Sequence, residues 1–127
     1  MPFDPKDFLR LSKDLVNDPS YSTRESVFRT SISRAYYSAF LICRTWLETQ
    51  KVTFPKTGKA HKIVVNELRK TKVFMKLLRK TRAVADVLVK LRWDGRNEAD
   101  YNLKKTFTSR ETLNWIRDAE YVINSIP

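Results

Sequence analysis

Glycine occurs twice in this chain of 127 residues, and cysteine and histidine once each. So little glycine, with only five prolines, leaves few sites for strand-joining turns and argues for a nearly all-helical protein. The lone Cys43 forms no internal disulfide, a pattern that suits a reducing compartment, so a cytoplasmic location is expected. One histidine and one cysteine, far apart, offer no zinc spacing, and no paired carboxylates stand out on one helix face. Neither a metal site nor a cofactor is therefore expected. There is no glycine-rich phosphate loop and no nucleophile elbow. Helix-turn-helix DNA binding lacks its short turn before a recognition helix. No apolar run approaches the roughly 18 residues needed to span a bilayer. The opening MPFDPKDF carries acid where a signal peptide carries positive charge, so no leader is expected.

What is present is size, aromatics and positive charge. The length fits one domain, residues 1–127, able to bury roughly two-thirds of its unfolded surface without a disulfide or metal. Fifteen aromatics suffice for a helical core. The net charge of +11 is unevenly placed: residues 51–92 hold thirteen Lys or Arg against Glu67 and Asp86, and the remainder sums to zero. A solvated face normally mixes both signs, so a phosphate-rich partner is favoured, each cation near a phosphate releasing counterions on binding. A membrane-surface helix is disfavoured by the modest apolar face of this stretch.

Five helices can be read. The first opens at Asp4-Pro5, a capping residue before proline, and runs through Phe8, Leu11 and Leu15 to about Asn17. The second starts at a capping box, Ser22-Thr23-Arg24-Glu25, and continues to about Gln50, roughly 40 Å of helix. Its apolar positions recur every three to four residues from Val27 or Phe28 to Trp46. The third runs from about Gly58 to Lys70, burying Ile63, Val64 and Leu68. The fourth begins near Lys72, with a kink expected around Lys80-Thr81, and reaches Trp93 with Phe74, Leu77, Leu78, Val84, Leu88 and Leu91 inward. Asp94-Gly95 loosens it. A second capping box, Thr108-Ser109-Arg110-Glu111, opens the fifth helix.

Between the last two helices lies Arg96-Asn97-Glu98-Ala99-Asp100-Tyr101. Arg96 and Asp100 stand four apart, as do Asn97 and Tyr101, so each pair shares a helix face. A guanidinium, an amide, a carboxylate and a phenol together suit a phosphate or base site, or else a polar clamp between helices. Arg96 can grip phosphate with help from Asn97, or simply pair with Asp100. Tyr101 can stack or give up a proton, or serve as an amphipathic ring. His61 is the one side chain of ordinarily near-neutral pKa, a base or a structural histidine. Lys59, Lys62, Arg69, Lys72, Lys76 and Arg79 supply the basic surface.

Three segments resemble HEPN domains (higher eukaryotes and prokaryotes nucleotide-binding). Ser33-Arg34-Ala35-Tyr36-Tyr37-Ser38-Ala39-Phe40 looks like the SRAYYAxF signature. His61 sits where many members carry a histidine, and Arg96–Tyr101 matches RNxADY, with Phe107-Thr108 as the FT that often follows. The resemblance spans about residues 5–125. It implies an all-α, antiparallel up-and-down bundle of about five helices that forms a homodimer. Many such proteins are metal-independent ribonucleases, often toxins paired with a nucleotidyltransferase antitoxin, in which an Arg and a His four to six residues later assist attack by the RNA's own 2′-hydroxyl. Here Asp100, Tyr101 or Asn102 stands where that His would follow Arg96. The expectation is therefore an RNA- or nucleotide-binding protein, possible partner of a nucleotidyltransferase. The alternatives are an endoribonuclease using Arg96 with Tyr101 or His61, and a non-enzymatic adaptor. By analogy with antitoxin-modified members, Tyr101 is also a candidate nucleotidyl acceptor.

Overall fold

A computed structural model describes residues 2–21, 23–56, 58–70 and 75–127, and of 75–79 the backbone only. It is built from α1 (Lys6–Asn17), α2 (Glu25–Thr49), α3 (Ala60–Lys70), α4 (Met75–Lys90), a π-helical turn (Leu91–Arg96), α5 (Asn97–Tyr101) and α6 (Ser109–Ser125). No strand occurs among the described residues. Because α4, the π turn and α5 follow one another without a break, they make one long rod, and the bundle has the five expected helical rods. Among the described residues no helix is long and apolar enough to cross a membrane.

The core follows the periodicity of α2. Ile32, Ala35, Tyr36, Ala39, Cys43 and Leu47 are buried along one side, meeting Val64 and Leu68 of α3, Val84 and Leu88 of α4, Leu91, and Ile116, Ala119 and Val122 of α6. Burial pushes the Cys43 thiol up to about 12, so this sulfur stays protonated. Ile63 is only half-buried, because the stripe of α3 that faces the core passes through Ala60, Val64 and Leu68. Two serines fasten α1 to α2: Ser12 Oγ donates to the Ser31 carbonyl at 2.8 Å and Ser38 Oγ to the Pro5 carbonyl at 2.7 Å. The crossed order of these contacts makes α1 and α2 antiparallel.

The helix ends test the capping signals. Asp4 accepts from the Lys6 amide at 3.0 Å, and Thr108 from the Glu111 amide at 3.1 Å, as their sequences predict. Of the box expected at the head of α2, Glu25 is the first helical residue and Arg24 makes no side-chain cap. Ser22 lies outside the described residues. Glu25 accepts from the Phe107 amide at 2.9 Å and pairs with Arg29 at 3.3 Å, which ties it to the loop before α6. At the far end of α2, Lys51 takes a left-handed conformation (φ 70°), and the amides of Lys51 and Val52 return to the carbonyls of Glu48 and Leu47. That is a Schellman turn on a residue other than glycine.

α4 is unbroken through Lys80-Thr81, with Thr81 buried. Phe74 lies outside the described residues, as do the side chains of Leu77 and Leu78. The departure from α-geometry comes later, in the π turn, where the Asn97 amide bonds to the Arg92 carbonyl five residues back. Gly95 sits in this turn because α6 comes close: a Cβ there would lie 3.2 Å from the Trp115 ring and 3.5 Å from Ile32. Loosening at Asp94-Gly95 thus widens the helix without ending it, and the polar segment emerges on the same rod.

Candidate functional site

The π turn and α5 bring Arg96, Asn97, Asp100 and Tyr101 together. Arg96 Nε donates to Asp100 Oδ2 at 2.8 Å, one terminal nitrogen donates to Asn97 Oδ1 at 3.0 Å, and the other to the Tyr101 hydroxyl at 3.3 Å. The guanidinium also lies 5.2 Å from the Tyr37 ring centre and 5.3 Å from that of Tyr101. Burial works against its charge, but Tyr37, Tyr101 and Asp100 more than offset this, and the pKa of Arg96 rises. Tyr101 is 69% exposed, an open ring rather than a half-buried one.

Arg29, which the sequence reading did not single out, holds this segment in place. Its guanidinium donates to the Ala99 carbonyl at 2.9 Å and to the Lys105 carbonyl, while Nε faces Glu25 at 3.3 Å. The carbonyls at a helix C-terminus lack intrahelical partners, and one α2 side chain satisfies those of α5 and ties down the loop behind it. No local spacing signals this, since the partners lie about seventy positions away.

His61 opens the other half of the site. Its ring stacks on Phe40 at 4.1 Å between centres, and Nδ1 meets the Tyr36 hydroxyl. Burial, followed by the charges of Arg92, Arg96 and Arg44, pulls the His61 pKa down to about 4, so the ring is neutral at pH 7. Burial likewise drives the Tyr36 phenol well above its usual value, against a smaller pull from Arg92. Hydroxyl and Nδ1 share one hydrogen bond, its direction set by the ring tautomer. Arg96 acts on His61 through its charge, and no hydrogen bond between them is found among the described residues. They share Tyr37, whose ring centre is 6.0 Å from that of His61 and 5.2 Å from the Arg96 guanidinium.

Beyond His61 a cleft of about 270 Å³ opens between α3 and the end of α4. Lys62 and Arg69 line it, with Arg92 and Trp93, two residues the sequence reading did not assign to a site. A signal for them was available: Arg92 stands one turn before Arg96, and Trp93 is a large aromatic among charged neighbours. Arg92 turns toward the Trp93 ring, at 5.0 Å, rather than pairing with Asp94. Arg69 pairs with Asp86 at 3.0 Å. Lys59 is exposed ahead of α3 and does not line the cleft. Lys72 lies outside the described residues, as do the side chains of Lys76 and Arg79. Among the described residues no group of three or more His, Cys, Asp or Glu gathers as metal ligands.

Comparison with curated proteins and with solved structures returns no match. A family model does match: the HEPN domain, over residues 6–126, which takes in every element from α1 to α6. The chain belongs to the HEPN domain family.

Proposed function

We propose that this protein binds RNA through the face that carries Arg96 and Arg92, and holds the strand without cutting it. The observation that carries the reading is the alternation of cations and rings: Arg96 against Tyr37 and Tyr101, and Arg92 against Trp93. Unpaired bases stack on aromatic and guanidinium planes while the cations track phosphate, which is how single strands are held without sequence preference. The excess positive charge of residues 51–92 adds long-range attraction.

Holding is favoured over cutting by the state of the proton carriers. A general base works best with a pKa near the operating pH, and His61, at about 4 with Nδ1 occupied by Tyr36, is weak in that role. The second reading, a metal-independent ribonuclease, draws on the Arg96–Tyr101 contact at 3.3 Å, which sets a phenol beside a cation able to stabilise a phosphorane. The exposed Tyr101, Leu103 and Trp93 support association with a second copy or with a nucleotidyltransferase partner, for which Tyr101 is reachable.

The test is retention of single-stranded RNA over a salt series. The logarithm of affinity falls linearly with that of salt, by about 0.7 per phosphate contact. Lys62→Ala lowers that slope by one such step, whereas a flat response in the unaltered protein removes the proposal.

A further inference from the structure

We propose that the groove where α2 outruns α1 binds a small carboxylate with an apolar body, its head group held by Lys6 and the Trp46 indole N–H. This site stands apart from the RNA face, since none of the residues lining it lines the cleft at His61.

Unequal helix lengths create the groove. The hydrogen bond from Ser38 to the Pro5 carbonyl fixes the head of α1 against the middle of α2. From there α2 runs on to Thr49, about three further turns, with no α1 beside it. The end of α6 forms the other bank, through Ile123 and Ile126. Phe3 turns back onto Phe8, with ring centres 4.8 Å apart, and none of the described residues before Lys6 lines the opening. A space of about 340 Å³ is left, within the usual range of ligand pockets, about 300 to 1,000 Å³.

The lining selects the chemistry. Ile42, Ile123 and Ile126 make the walls apolar, Lys6 is the one charged side chain among them, and no Asp or Glu takes part. No ion pair of the Lys6 ammonium is found among the described residues. A single cation at the mouth of an apolar groove suits one negative charge on an apolar body. A nucleotide fits badly, because its base edges and sugar hydroxyls would lie unpartnered against three isoleucines. An amine would be repelled by Lys6.

Trp46 adds an independent observation. The residue is only 9% exposed and lines the groove, yet no hydrogen bond of its indole N–H is found among the described residues. A buried indole N–H normally has an acceptor. The described side-chain atoms that are both unpartnered and sealed from the surface are Ser31 Oγ and Arg92 Nε, so the Trp46 nitrogen keeps a surface that a ligand can reach. A carboxylate beside Lys6 supplies the missing acceptor, and its apolar body covers the isoleucines.

The probes are straight-chain carboxylates from butyrate to dodecanoate, kept below micelle-forming concentrations, with octan-1-ol and octylamine as head-group controls. Each is titrated into the full chain while the three indole N–H signals are followed by NMR, Trp46 being assigned by its loss in Trp46→Phe. Octanoate is expected to move the Trp46 signal saturably and to leave Trp93 and Trp115 still. Each added methylene should strengthen binding by up to about fourfold until the groove is full, after which affinity levels off. Octan-1-ol should bind about three- to tenfold more weakly than octanoate, and octylamine more weakly still. Lys6→Gln, at an exposed position, should bring octanoate down to the level of octan-1-ol, and Lys6→Arg should restore it. Thr45→Phe, also exposed, should fill the groove and abolish binding with thermal unfolding unchanged.

An unmoved Trp46 signal with octanoate overturns the site. So does equal binding of octanoate, octan-1-ol and octylamine, or an affinity that climbs with chain length without levelling, since both mark unspecific apolar adsorption. Full affinity in a folded Thr45→Phe protein would put the ligand elsewhere and overturn it as well. None of these outcomes bears on the RNA reading.

Discussion

Arg96 and Asp100 meet at 2.8 Å one helical turn apart, and the same Asp100 oxygen accepts from the Ser33 hydroxyl at 3.2 Å. The pair is thereby fastened to α2 as well as to its own rod. An exposed helix pair is worth only tenths of a kcal/mol. This one is more enclosed, with side-chain exposures of 15% and 27%, and its main effect is to hold the guanidinium in one orientation between two tyrosine rings.

Asp100→Asn separates a binding role from a catalytic one. The amide keeps the shape, frees Arg96 of its counter-charge, and is expected to cost no more than about 1 kcal/mol of stability. RNA affinity should rise a few-fold, measured by filter retention. A fall in affinity would mean that the carboxylate itself contacts the ligand.

Arg29→Ala should be the most damaging change near the site. It leaves the Ala99 and Lys105 carbonyls without their donor and Glu25 without its partner, a loss of about 2–4 kcal/mol in chemical denaturation. Arg29→Lys should recover little, because one ammonium cannot reproduce a fork that spans three acceptors. Losses under about 0.5 kcal/mol would show that α5 is held by packing alone.

His61 makes stability depend on pH in a defined window. Its pKa falls from about 6.5 in the unfolded chain to about 4 in the folded one. Between these values the unfolded state binds the extra proton, so stability is intact above about 6.5 and declines as pH falls toward 4. The single histidine resonance should titrate near 4, and His61→Phe should remove that part of the acid slope. Titration near 6.5 would contradict the burial and the three arginines given as its cause.

Lys51→Gly should stabilise the protein. Lys51 occupies the left-handed position of the Schellman turn after α2, where a side chain costs about 1 kcal/mol that glycine avoids. Thermal unfolding should shift upward by a few degrees. A downward shift would mean that unfolded-state entropy outweighs the relieved strain.

Contacts between near neighbours in the chain are legible in its sequence, and contacts between distant residues are not. Scarce glycine and the apolar rhythm of Ile32, Ala35, Ala39 and Cys43 gave the helical class and the face of α2. The four-residue spacing of Arg96 and Asp100 gave their contact. The cap at Thr108 was legible because donor and acceptor sit three residues apart. Glu25 at the head of α2 accepts from the Phe107 amide, eighty-two positions away, and nothing near Glu25 announces it. Arg29 went unnoticed for the same reason. The π turn at Leu91–Arg96, where Trp115 of α6 comes close to Gly95, has no local signal beyond Asp94-Gly95. The partnership of His61 with Tyr36 joins two helices that no periodicity relates.

The central claim is that this HEPN protein holds RNA and does not cut it. The most direct measurement incubates the purified chain with mixed single-stranded and structured RNA in EDTA, beside Arg96→Ala, and follows both retention and strand length. The account predicts intact RNA in both samples, salt-sensitive retention by the unaltered protein, and retention about tenfold weaker in Arg96→Ala. Shortened RNA with the unaltered protein, absent with Arg96→Ala, would contradict the account and establish a nuclease in which Arg96 acts with Tyr101 or His61.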